Sequence, residues 1–322
     1  MNKKVLTSLA VAGTLIAFAS CYKNDRKDPT YSSISDAFAS FAPTSKTVDM
    51  DAATGGSFRG NSGARYEFPA NAFVTRSGAT VAGTIKIEVR ECLTKSDMFF
   101  SDLLPVTDSE SLISAGEVYV HATQNGQELF LQHGVAYAVN LPQKGTVIPG
   151  MSVFHVSGDS IRTINTVATT ELNAKVKWRP VYPVTPLTCI IYNGDTVKMF
   201  NDSLEYGNAD KFMSNPNYQT FQLSLTTSDG STLPDWNNID NVVEARCLYD
   251  GLNGIWRMKW SSDGIIYEHH VPDIPVHFVV TSIVDGRFYG GILAAIPVTG
   301  STYNVVLQPT TPSAFKTLID AL

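Results

Sequence analysis

From Thr47 onward the chain is cut into short apolar or alternating segments by turns rich in glycine, asparagine and proline, and this rhythm constrains the fold more than any other feature. TIKIEVRE, EVYVHAT, QELFLQ, AYAVNLP and SVFHVS read as strands; RSGAT, QNGQ, QKGTVIPG and VSGDS read as the turns that separate them. A period of two places Ile85, Ile87 and Val89 on one side of TIKIEVR. No helical pattern of crossover length lies between these segments, which argues for an antiparallel sandwich and against βαβ units. Pro69 belongs at an edge or a strand start, because it has no N–H for the ladder. Gly55, Gly56, Gly60, Gly63, Gly78 and Gly83 are expected in turns and bulges.

The second half repeats the style in different text. LTCIIYNGDTVKMF, TFQLSLTTSDG, VVEARCLYDG, GIWRMKWSSDGIIYEHH, VHFVVTSIVDGRFYGGIL and YNVVLQP read as strands joined by NGD, SDG and VDG turns. Residues 201–218 are polar and read as a loop with one helical turn. At the end, TTPSAFKTLIDAL offers Ser313 as a cap and Phe315, Leu318, Ile319 and Leu322 as the apolar face of a helix. Pro180, Pro183 and Pro186 in WRPVYPVTP favour an extended connection and mark the expected domain boundary. The fold class expected is all-β: two antiparallel β-sandwich-like domains in tandem, residues 46–179 and 180–322, with a short helix near the mature N-terminus and a C-terminal helix.

The first 45 residues obey other rules. Lys3 and Lys4 precede an apolar run from Val5 to Phe18, and Ala19-Ser20-Cys21 follows, the pattern of a secretory signal. The small residues before Cys21 resemble a bacterial lipobox, although Phe18 stands where leucine is usual. That resemblance implies cleavage after residue 20 and acylation of Cys21, and several acyl chains hold a protein on a membrane durably. No other segment reaches the roughly 18 apolar residues of a membrane span. Residues 21–45 then read as a tether, with Ile34, Phe38 and Phe41 at helical spacing in SISDAFASFA. YKNDRKD carries Asp25 and Asp28, but Arg26 and Lys27 between them dilute any acidic surface-export signal.

Cleavage would remove two lysines and take the formal charge from −6 to −8. An acidic chain without a basic cluster is a poor partner for nucleic acid. Cys92, Cys189 and Cys247 are too far apart for a Cys-x-x-Cys site. Free buried thiols are the main reading, with a Cys189–Cys247 bridge left open.

GARYEFPANAFVTRSGATVAGTIKIEVRECLTKSDM, SLISAGEVYVHATQNGQELFL and AYAVNLP together resemble the ZU5-like β-sandwich of Bacteroidetes outer-membrane lipoproteins. The resemblance rests on Pro69 to Phe73, Ser77 to Gly83, a Lys95 to Met98 turn, and Gly116 to Leu129, and covers roughly residues 47–142. It implies an interaction module, sometimes followed by a second β-rich domain. Animal relatives that cleave themselves do so at His-Phe-Ser. Here His277-Phe278 is followed by valine, and His155 by Val156-Ser157, so self-cleavage is not expected.

Catalytic constellations are weak. His155, Ser157 and Asp159 sit close together, but as a strand running into a polar turn. Glu88, Glu91, Asp97 and Glu117 are the carboxylates on which a glycosidase pair would draw, yet Glu88 and Glu91 differ in strand parity. His269 and His270 are adjacent, so on a regular strand they face opposite ways; His121, His133 and His277 are isolated. Asp229, Asp235 and Asp240 offer oxygens to a calcium ion but lack EF-hand spacing, and no cofactor or metal site is expected. Trp236, Trp256 and Trp260, with Tyr249 and Tyr267, form an aromatic group that serves either as an inter-sheet core or as a ligand platform.

The function expected is that of a lipid-anchored, non-enzymatic binding or scaffolding module of a Gram-negative envelope, held at the outer membrane. Its partner would be an envelope protein or a glycan. The alternatives are a surface glycan-binding lipoprotein of a polysaccharide uptake system and a hydrolase of unrecognised type. Ligand, leaflet orientation and oligomeric state are not legible at this level.

Overall fold

The computed structural model describes residues 29–107, 110–144, 147–156, 178–213, 217–234, 242–258 and 265–322. Cys21, Ser157, Asp159, Asp235, Trp236, Asp240 and Trp260 lie outside them. The chain starts with α1 (Ile34–Phe38), β1 (Lys46–Asp51), β2 (Gly56–Arg59), β3 (Arg65–Phe68), β4 (Phe73–Val74), β5 (Thr84–Cys92) and α2 (Lys95–Ser101). Then come β6 (Leu112–Gln124), β7 (Gln127–Glu128), β8 (Phe130–Leu131), β9 (Tyr137–Pro142), β10 (Ser152–Val156), β11 (Trp178–Pro180), β12 (Ile190–Asn193) and β13 (Thr196–Asn201). Next are β14 (Glu205–Phe212), β15 (Tyr218–Thr227), β16 (Val243–Tyr249), β17 (Ile255–Arg257) and β18 (Ile266–Pro272). The last elements are β19 (Val276–Val284), β20 (Arg287–Ala295), β21 (Thr302–Pro309) and α3 (Pro312–Asp320).

The all-β class holds. One antiparallel sheet runs β1-β5-β6-β14-β10-β11, with β7 folded onto β6; a second runs β12-β13-β9-β3-β2. They enclose Tyr66, Ile85, Ile87, Val89, Val118, Val120, Tyr137, Val139, Val197 and Met199, so the expected inward face of β5 is observed. Alternation, not continuous hydrophobicity, suffices on β5 because its other face reaches water, as at the exposed Lys86.

The boundary expected at 179/180 is not where the sheets divide. After the prolines, β12 and β13 return to the second sheet, and β14 enters the first between β6 and β10. Proline forces extension, and here the extended run crosses from one sheet to the other instead of linking domains. Within the loop expected over 201–218, Glu205–Phe212 form β14 instead. Its polar side chains hid it: Asn208 and Asp210 are fully buried, on the face that meets the rest of the molecule.

The third sheet runs β17-β16-β19-β20-β21-β15-β18. All its pairs are antiparallel except β15 with β21, which is parallel. Its inner face carries Phe221, Leu223, Cys247, Ile266, Phe278 and Val280. The same apolar cluster continues without a break through α1, α2 and α3 to Phe154, Trp178 and Tyr206 on the first sheet. β19 is therefore buried on both faces.

The helices form the joint. The expected N-terminal helix is present, with Ser33 accepting the Asp36 N–H and with Ile34, Ala37 and Phe38 buried. Phe38 contacts Phe99 and Phe100 of α2 and Phe288 of β20. Lys95 to Met98, expected as a turn, opens α2: Thr94 and Asp97 make a reciprocal capping box. In α3 the cap is Thr311 with Pro312 in the first turn, not Ser313; Phe315 and Ile319 are buried while Leu318 is half exposed. Phe315 lies on Gly290, where a Cβ would fall 2.4 Å from the ring, which explains a glycine inside a strand. Lys95 Nζ donates to the carbonyls of Tyr249 and Leu322, tying α2 to β16 and to the C-terminus.

A buried ion cluster closes the same joint. Arg246, 1% exposed, donates to the Phe99 carbonyl at the end of α2 and to Glu244, and meets Asp102 at 2.7 Å. Asp102 also receives Arg257. Pro69, finally, follows directly on the end of β3, where no ladder N–H is needed.

Candidate functional site

The aromatic group is the first candidate, and its geometry decides between core and platform. Trp256 on β17 is 8% exposed and donates its Nε1–H to Glu268 Oε2 at 3.0 Å. β17 and β18 are the two outer edges of the third sheet, so this bond joins edge to edge. The sheet is curled until its ends meet, and Phe221 and Phe278 touch across the interior at 5.1 Å. Trp256 is thus a closure residue of the core, the first of the two roles its sequence setting left open, and not an exposed ligand-contact aromatic. Trp236 and Trp260 are outside the described residues.

Glu268 owes its place to a register shift between Gln219 and Phe221, which leaves His269 and His270 as extra length opposite Thr220. Both of their backbone N–H groups are turned to Glu268 Oε1, at 2.7 and 2.8 Å. A carboxylate 3% exposed is thereby satisfied by two amides and an indole. The opposite orientation expected of the two histidines assumed a regular ladder, and the bulge removes that assumption. Both rings are exposed, His270 packing against Trp256 and Tyr218.

The carboxylates singled out from sequence are dispersed. Glu91 lies beneath the β2–β3 turn, where it accepts the Ser62 N–H and sits 2.0 Å from where a Gly60 Cβ would be. Asp97 caps α2. Glu88 is half-buried on β5. Glu117 is fully buried, and the structure brings it to a partner that sequence reasoning missed. Asn208 Nδ2 lies 3.3 Å from Glu117 Oε1 and 2.6 Å from Asp210 Oδ2, while Ser114 Oγ donates to Asn208 Oδ1 at 2.9 Å. Glu117 Oε2 and Asp210 Oδ1 have no hydrogen-bond partner among the described residues. Burial pushes both carboxyls well above the usual carboxylate range, and Asp210 raises Glu117 further. Glu117 follows the quoted Gly116, but its partner is on a segment whose polarity read as loop.

The histidines are individually engaged. His155 meets Asn201 Oδ1 at 2.6 Å, and burial holds its ring below the usual imidazole value; Ser157 and Asp159 lie outside the described residues. His121 is 3.9 Å from Glu128, His277 is 2.7 Å from Asp250, and His133 is exposed. Asp229 is bound to the Ser231 N–H and the Tyr289 hydroxyl. Among the described residues no group of three His, Cys, Asp or Glu side chains is arranged to hold a metal ion, and no helix is long and apolar enough to cross a membrane. Cys92, Cys189 and Cys247 are free thiols, so the bridge left open between the last two is not formed.

No family model, no curated protein and no solved structure matches the chain.

Proposed function

We propose that the chain is a lipid-anchored, non-catalytic binding or scaffolding module of a Gram-negative envelope, tethered to the outer membrane through Cys21. One observation carries most weight. The chain leaving Cys21 is locked into the body within a short distance: the Tyr31 N–H donates to the Gly286 carbonyl at 2.9 Å, and Phe38 is wedged between α2 and β20. Whatever holds the N-terminus therefore holds the third sheet and the first sandwich together, not one half on a loose hinge. A rigid body on a short leash suits presentation of a surface to a partner. The buried glutamates support the same reading, since Glu91, Glu117 and Glu268 serve turns, strands and closure.

The test is fractionation of cells carrying the wild-type chain or Cys21→Ala, followed by protease shaving of intact cells. The proposal expects the wild type in the membrane fraction and the variant released. Cleavage on intact cells places the module outside; protection until the envelope is breached places it on the periplasmic face. A Cys21→Ala chain that stays membrane-bound would remove the anchor and, with it, the proposal.

A further inference from the structure

The open face of the second sheet holds a groove of about 210 Å³ lined by Arg59, Gly63, Arg65, Glu67, Asn140, Pro142, Asn193 and Thr196. Arg59 and Arg65 are direct cross-strand partners in the β2–β3 pair, and both are exposed. Like charges facing each other across a ladder cost stability. The one lining carboxylate does not relieve them equally. Glu67 is held by Lys198 at 2.7 Å and by Asn140 at 3.2 Å, with Arg65 Nε at 3.4 Å. Lys198 lowers its pKa, so it stays charged and engaged. Arg59 donates to the neutral Gly63 carbonyl at 3.2 Å and makes no salt bridge among the described residues. Lys46 adds a further positive charge, its Nζ on the Arg59 carbonyl at 2.8 Å, while Asp195 stands at the β12–β13 turn and accepts from Thr196. Among the lining residues Arg59 and Arg65 stand against Glu67 alone, and Lys198 shares that carboxylate, so the groove is positive in a chain of net charge −6.

We infer that this groove is a binding site for an acidic saccharide, its carboxylate or sulfate set between Arg59 and Arg65 and its hydroxyls met by Asn140, Asn193 and Thr196. A guanidinium presents paired N–H donors that match a planar or tetrahedral oxyanion. Amide and hydroxyl side chains beside it supply both donors and acceptors, as a polyol requires. The volume is below the roughly 300 Å³ at which drug-sized sites begin, so one ring-sized unit is accommodated and the rest of the chain runs over the sheet. The inference rests on the binding-module reading and names its ligand class.

The experiment is calorimetric titration of the full mature chain in detergent with trigalacturonic acid, a sulfated chondroitin disaccharide and neutral maltotriose. Arg59→Ala is the cleaner variant, because Arg59 has no carboxylate partner to strand; Arg59→Lys serves as the conservative control. The expected result is binding of one or both acidic sugars, weakened roughly tenfold or more by Arg59→Ala and by added salt, partly restored by lysine, with unchanged melting temperature. Whichever acid binds identifies the recognised group. Equal affinity for maltotriose, indifference to Arg59→Ala, or no heat with either acidic sugar at millimolar concentration would overturn the inference. Those failures leave the fractionation result standing, and loss of anchoring would leave the titration standing.

Discussion

Trp256 and Glu268 meet at 3.0 Å although they belong to opposite edges of one seven-stranded sheet. The side-chain bond holds the two ends of the sheet together across its interior. The indole contributes both the apolar bulk and the donor for a carboxylate that is 3% exposed. Trp256→Ala should cost about 3–5 kcal/mol, as large-to-small core substitutions do. Trp256→Phe keeps the bulk but strips the donor, and should cost about 1–3 kcal/mol. Urea unfolding of the three proteins measures both; a near-neutral Trp256→Ala would mean that the edges are not joined through this residue.

Phe38 is the residue through which the N-terminal segment grips both halves. Phe38→Ala should lower stability by about 3–5 kcal/mol. It should also make the stretch before β1 the first site of limited proteolysis. Unchanged digestion would show that α1 does not clamp the body.

Arg246 is buried with Asp102 at 2.7 Å and Glu244 beside it. Removing one partner strands the others, so Arg246→Ala should destabilise by about 3–5 kcal/mol. Arg257→Ala, which removes a partly exposed side chain from the same Asp102, should cost less. Thermal unfolding of the two variants gives the order, and the reverse order would contradict the assignment of Arg246 as the centre of the cluster.

Burial raises Glu117 and Asp210 in the folded chain, whereas unfolded carboxyls titrate near pH 4. Above that pH the unfolded chain has released protons that the folded chain still holds. Their contribution is therefore fully present below about pH 4 and is lost as pH rises toward the folded values. Glu91 is raised in the same direction. Glu117→Gln should flatten the fall in melting temperature between pH 5 and 8 and raise it at the alkaline end, by roughly the few degrees that about 1 kcal/mol brings. A variant with the wild-type slope would mean that Glu117 is already ionised.

Burial pushes the Cys92 thiol up to about 12 and the Cys247 thiol well above its ordinary range, while Cys189 is only half-buried. At pH 8 a thiol reagent should label Cys189 in the native protein and reach Cys92 and Cys247 only on unfolding. Peptide mapping of the labelled sites distinguishes the outcomes, and fast native labelling of Cys92 would contradict the burial.

The strands were legible wherever one face met apolar core and the other met water, as in β5, whose Ile85, Ile87 and Val89 point inward as the alternation requires. β14 was not, because Asn208 and Asp210 put polar groups on a face that is buried against other polar groups. Local composition cannot distinguish that from a solvated loop. Nor does a proline run announce whether the chain it extends leaves a sheet or crosses to the next one. The aromatic group of the second half carried its hydrophobicity openly, but its role as closure depends on Glu268, and a bulge of two histidines is what turns the backbone amides toward that side chain. The Arg59–Arg65 pairing needed the β2–β3 register, which neither short strand declares by itself.

Acylation of Cys21 carries the proposed envelope role, and the decisive measurement is mass spectrometry of the N-terminal peptide from protein extracted from cell membranes. The expected result is a chain that begins at Cys21, with fatty-acyl chains on this residue. An N-terminus that retains residues 1–20, or an unmodified Cys21, would contradict it.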